Sequence, residues 1–102
     1  MRKPGSIIRN RLVELLYFLK KSHGYELAKI YNLIFPKVSQ RVIYYHLNRG
    51  VKEGIFEAID EDVKGNYSWG NSARVVFYVL GKNAQPKADL NVKKALKHLK
   101  LL

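Results

Sequence analysis

The chain has no cysteine, so disulfides, thiolate zinc sites, iron–sulfur clusters and cysteine nucleophiles are excluded. Prolines stand only at positions 4, 36 and 86, which leaves long stretches open to regular structure. No apolar run approaches the ~20 residues that span a bilayer. Residues 1–20 begin Met1-Arg2-Lys3-Pro4-Gly5, but Arg9, Arg11 and Glu14 interrupt the apolar positions. A secretory signal needs an uninterrupted apolar centre, so none is expected. His23, His46 and His98 lie far apart and show no metal-ligand spacing. There is no glycine-rich phosphate loop and no serine–histidine–acid arrangement. The expectation is a protein with no catalytic site, no metal, no cofactor, no membrane partner and no apparent small-molecule effector.

Acidic residues are also scarce. Eight Asp and Glu stand against nineteen Lys and Arg, a formal net charge of +11 at pH 7. Such an excess favours a polyanion, either nucleic acid or an anionic membrane surface. At 102 residues and 47% hydrophobic content the chain is long and apolar enough for one domain with a modest core.

Apolar spacing predicts a first helix from Ser6, as N-cap, to about Lys21, with Ile7, Ile8, Leu12, Leu15, Leu16 and Leu19 as its stripe. Ser22-His23-Gly24 breaks it. A second helix is predicted from near Tyr25, with Glu26 in its first turn and Leu27, Ile30, Tyr31 and Ile34 facing inward. Pro36 ends it, because the residue before a proline disfavours helix. A third helix, about 39–53, follows after a short turn. Ser39 is a natural N-cap and Gly54 a natural C-terminal stop.

The third helix is the most informative segment. Ile43, Tyr44, Leu47 and Val51 recur at helical spacing and can face a core. Gln40, Arg41, Tyr45, Asn48, Arg49 and Lys52 then face outward. Arg pairs bidentately with guanine and Asn with adenine, and long cations reach phosphates. Two helices joined by a tight turn, the second with a polar outer face, is the helix-turn-helix pattern.

After Gly54 the apolar period falls to two. Strands are predicted at Phe56 to Val63 and Arg74 to Leu80, joined by a loop in which Lys64-Gly65-Asn66 and Gly70-Asn71-Ser72 carry turn chemistry. Glu57, Asp60, Glu61 and Asp62 form the one acidic cluster. Neighbours on a strand point to opposite faces, so pairing with lysines, or keeping part of the hairpin off DNA, is expected over a metal site. Gly81 to Lys87 reads as a linker, and Asp89 caps a last helix to the C-terminus. The fold class expected is mainly α with a β-hairpin wing (α+β): a winged helix-turn-helix over residues 1–82, with a C-terminal helix added over 83–102.

His23-Gly24-Tyr25-Glu26-Leu27-Ala28-Lys29 resembles the segment that opens the second helix of PadR-type transcriptional regulators. Val38-Ser39 with Tyr44, Leu47 and Glu53-Gly54-Ile55 resembles the helix that follows, and Val76-Phe77-Tyr78-Val79-Leu80-Gly81 the second wing strand. The resemblance covers roughly residues 8–82. It implies a winged-helix fold, double-stranded DNA as partner, a role for His23 in the turn into the second helix, and a first helix that joins a dimer interface. Gly50 departs from the leucine usual in that family, so Val51 has to supply the contact or the helix bends. The larger helical domain of some PadR proteins is missing.

The DNA-contacting residues expected are Ser39, Gln40, Arg41, Tyr45, Asn48, Arg49 and Lys52 on the third helix, with Lys64 and Arg74 on the wing. Trp69 has two readings, a contact to a sugar or minor groove and a plug over the hairpin. The last helix presents Val92, Ala95, Leu96, Leu99 and Leu102 opposite its lysines. Val92, Leu96 and Leu99 are the expected homodimer contacts, although the same stripe can cover the domain itself. The function expected is a sequence-specific transcriptional regulator in the cytoplasm, nucleoid-associated in a prokaryote. A weakly selective architectural DNA-binding protein, or a winged helix used for protein or RNA interaction, also fits the sequence.

Overall fold

The computed structural model describes residues 6–67 and 70–102. They form α1 (Ser6–Leu19), β1 (Ser22–His23), α2 (Gly24–Ile34), α3 (Gln40–Lys52), β2 (Phe56–Tyr67), β3 (Gly70–Leu80) and α4 (Leu90–His98). The result is an α+β domain in which helices cover a three-stranded antiparallel sheet of order β1-β3-β2. No described helix is long and apolar enough to cross a membrane.

Local chemistry sets most boundaries. Lys20 takes a left-handed φ of 71° and its N–H closes on the Leu16 carbonyl at 2.8 Å, so α1 stops two residues before the predicted Lys21. His23 caps α2: its Nδ1 accepts from the Glu26 N–H at 3.2 Å, which fulfils the role expected of it. Phe35 is extended ahead of Pro36 and ends α2. Ser39 caps α3 by accepting from the Val42 N–H at 3.2 Å. Between them, Asn32 clamps the turn. Its Oδ1 accepts from the Val38 N–H at 2.9 Å, and its Nδ2 donates to the Val38 carbonyl at 3.1 Å.

The core gathers residues from every helix. Leu12, Leu15 and Leu16 of α1, Leu27, Ile30 and Tyr31 of α2, Ile43 and Leu47 of α3, and Phe56 and Tyr78 of the hairpin form one buried cluster. Val92 and Leu96 of α4 belong to it too, at 4% and 0% exposure. The tail from 83 is therefore packed on the same core as the rest of the domain.

The strands depart from the sequence reading in two ways. β1 was not anticipated: Ser22 pairs with Tyr78 and His23 with Phe77, adding a two-residue edge to the hairpin. The hairpin is also longer, because Lys64-Gly65-Asn66 and Gly70-Asn71-Ser72 continue the strands instead of forming a loop. Pairing runs from Phe56 opposite Leu80 to Lys64 opposite Ser72, then shifts register before Tyr67 opposite Gly70. Cross-strand bonding outweighs local turn preference there, and the irregularity absorbs the turn-prone residues. Trp69, Arg2 and Lys3 lie outside the described residues.

α3 runs unbroken through Gly50. A Cβ at Gly50 would overlap the Phe56 ring, which is 1% exposed and fills the space a larger side chain would take. Val51 is only half-buried beside it.

Candidate nucleic-acid interface

α3 turns about 100° per residue, so Arg41, Tyr45, Asn48 and Lys52 fall within an arc of roughly 60°. All four are exposed, Tyr45 at 58%. Gln40 and Arg49 flank the arc and Ser39 stands at its N-terminal end, all exposed as well. The opposite side holds Ile43 and Leu47, both at 0% exposure, and Gly50 under Phe56. The helix is thus held rigidly from behind while it presents one continuous polar stripe.

The stripe carries net positive charge. Arg49 pairs with Glu53 one turn on, at 3.1 Å, with both side chains about half-exposed. Such a pair adds at most about 1 kcal/mol, so it tethers Arg49 without removing it from a stronger anion. Among the described residues, no carboxylate comes within ion-pair distance of Arg41 or Lys52.

The hairpin contributes differently. Strand alternation places Phe56, Ala58, Asp60, Asp62 and Lys64 on the face that packs against the core at its base. Their partners on that face include Leu80, Tyr78, Val76 and Arg74. Lys64 and Arg74 are exposed farther out along the same face. Arg74 is shared with Asp62 at 3.7 Å, a loose and solvated contact. A groove of about 710 Å³ between α2, α3 and the hairpin is lined by Tyr25, Tyr44, Arg74 and Val76, so Arg74 joins the flank of α3 while Lys64 stays apart. Gly24 makes this junction tight, since the Tyr44 ring leaves no room for a Cβ there. Burial, and then the nearby Tyr44, push the Tyr78 phenol above its ordinary range.

The acidic cluster divides as strand geometry requires. Glu57 and Glu61 lie on one face of β2, Asp60 and Asp62 on the other. Glu61 meets Lys21 at 2.6 Å, and Lys21 also lies over the Phe77 ring at 4.9 Å. No group of three metal-ligating side chains comes together among the described residues.

Of the two readings of the α4 stripe, the structure favours the one in which it covers the domain: Val92 and Leu96 are buried in the chain's own core, and Leu99 is half-buried. An amphipathic stripe says that a helix covers something, and here the nearest uncovered surface was α1. His46 of α3 is only 6% exposed, and its Nδ1 has no hydrogen-bond partner. Burial, and then the Arg9 charge, lower its pKa below the ordinary 6.5. Asn32 was missed altogether, because a clamp between residues 32 and 38 has no signature beyond an asparagine near a turn.

No protein-family model matches the chain, and no curated protein matches it. The likeness to PadR-type regulators rests on the motifs quoted above.

Proposed function

We propose that this domain is a winged helix of PadR-like type that binds double-stranded DNA, with α3 in the major groove and the β2–β3 hairpin as its wing, and that it acts as a sequence-specific transcriptional regulator. One observation carries the reading. Arg41, Tyr45, Asn48 and Lys52 lie in a single arc on a helix whose other side is fully buried. A helix in the major groove needs this arrangement: side chains that reach base edges, on a support that does not yield.

The roles divide by chemistry. Arg41 and Asn48 meet bases; Lys52 and Arg49 meet phosphate at the end of the helix; Arg74 and Lys64 meet phosphate from the wing. Ser39 and Gln40 lie where the helix enters the groove. The role is binding and regulation, with no chemical step, and its compartment is the one that holds the DNA. A homodimer, expected from the sequence, would have to meet through surfaces other than Val92 and Leu96, which lie in the core.

The test is a titration of a labelled random duplex and of a genomic-fragment pool, each with competitor DNA, over a range of salt. Each neutralised phosphate contributes a slope of about −0.9 in log affinity against log salt, so several contacts give at least about −3. Selective retention of particular fragments with that slope is expected. Equal retention of all duplexes identifies a weakly selective architectural protein, and a flat salt response or no binding removes DNA from the reading.

A further inference from the structure

α1, the end of α2, the 81–89 connector and α4 enclose a half-open cleft of about 740 Å³. Small-molecule sites have ~300–1,000 Å³, mostly apolar walls and a few convergent polar groups. This cleft has that volume, and its wall mixes apolar with polar residues. Ile34, Phe35, Ile55 and Ala95 supply apolar walls, and Arg11 and Asn83 supply polar ones. We propose that the cleft is a binding site for a small, largely apolar molecule that carries one anionic group, with Arg11 as the group that receives the charge.

Arg11 is fixed and uncommitted in charge. Its guanidinium stacks 4.8 Å from the Phe35 ring centroid and donates to the Tyr31 hydroxyl at 3.1 Å. A stacked, hydrogen-bonded guanidinium is oriented before a ligand arrives, and its remaining donors suit a carboxylate or sulfonate. No carboxylate lies within ion-pair distance of it among the described residues. The two acids of the wall are already occupied. Glu14 accepts from the Lys87 N–H at 2.7 Å and the Asp89 N–H at 2.8 Å, and Asp89 accepts from the Asn91 N–H at 2.8 Å. Those bonds also hold the connector against α1 and keep the cleft formed. Arg11 and Lys87 are matched in number by Glu14 and Asp89 along the wall, but both carboxylates are engaged by backbone N–H groups, which leaves the Arg11 guanidinium without an anionic partner. A neutral apolar molecule would leave the stacked guanidinium partly desolvated with nothing to receive, which is the reason for the anionic group.

The proposal is independent of DNA binding, and its test needs no DNA. The full chain, nitrogen-labelled, is titrated by NMR with anilinonaphthalene sulfonate and with uncharged phenylnaphthylamine, which has the same rings. Expected is saturable one-to-one binding of the sulfonate, with amide shifts at 10–14, 34–35, 83–85 and 92–95. The sulfonate should bind about tenfold or more tighter than the neutral compound, the scale of one charge-assisted hydrogen bond. Arg11→Gln should erase that difference, and Ala95→Trp should block both compounds by filling the cleft. Shifts confined to lysine-bearing surfaces elsewhere, non-saturating binding, or equal affinity for the two compounds would overturn the proposal. The wild-type comparison decides even where a variant loses its fold.

Discussion

α3 and the hairpin flank the same groove, yet they are built on opposite terms. α3 is backed along its whole length by Ile43, Leu47 and the Phe56 ring, and its outer arc carries Arg41 and Lys52 with no acid alongside until Glu53. Among the described hairpin residues, the buried ones are Phe56 and Tyr78 at its base, and strand β2 bears four acids. β2 is also a sheet edge, since the order is β1-β3-β2. Acids along an exposed edge discourage a second copy from pairing with it. In the proposed DNA complex they would also keep the middle of the hairpin away from phosphate and leave cationic contact to its outer part. In the proposed function, this separates a stiff element that reads from a longer one that grips.

The largest effect should come from breaking the support of α3. Phe56→Ala removes the ring that fills the space over Gly50 and should cost about 3–5 kcal/mol of stability; chemical denaturation measures it. A loss well under that range would mean that α3 is not held from behind. Filling the same space from the other side, Gly50→Leu should destabilise unless combined with a smaller residue at position 56.

The next contrast concerns DNA. Arg41→Ala should cost roughly 1–3 kcal/mol on a preferred duplex and narrow its margin over random DNA. Lys64→Ala should weaken all duplexes alike and lower the salt slope by about 0.9. Equal behaviour of the two variants would remove the division between α3 and hairpin.

A smaller, pH-linked effect should fall on α3 alone. The lowered pKa of His46 means that the unfolded chain binds its proton more readily than the folded one. The stability this contributes is fully present above about 6.5, the unfolded value, and is lost as pH falls through the lower folded value. Melting temperatures followed from neutral to mildly acidic pH should show this decline, and His46→Leu should flatten it. An unchanged decline in the variant would assign it to carboxylates instead.

The helical part of this architecture was legible because its signals are local. Ser39 and Asp89 cap as their side chains demand, Pro36 stops α2, and the outward residues of α3 follow from period alone. What escaped depends on distant partners. β1 is two residues long and exists only because Tyr78 and Phe77 lie beside it. The hairpin extends through turn-prone residues because each strand continues to bond the other. The stripe on α4 was visible, but its partner was not, since periodicity shows that a helix has an inner face without showing what lies against it. The cleft escaped for the same reason: its walls come from four stretches of chain.

Asn83 gives the order of synthesis a meaning. Its Nδ2 donates to the Glu53 carbonyl at 2.9 Å and its N–H to the Gly54 carbonyl at 2.9 Å, closing the end of α3 from thirty residues downstream. Gly54, at φ 75°, presents those carbonyls. A nascent chain that has exposed residues through Leu80 already carries every residue of the outward arc, but α3 still lacks its final clasp and the core still lacks Val92 and Leu96. The surface matures only once α4 has left the ribosome, so a chain truncated after Leu80 should be a substrate for proteolysis before it is a competitor for any ligand.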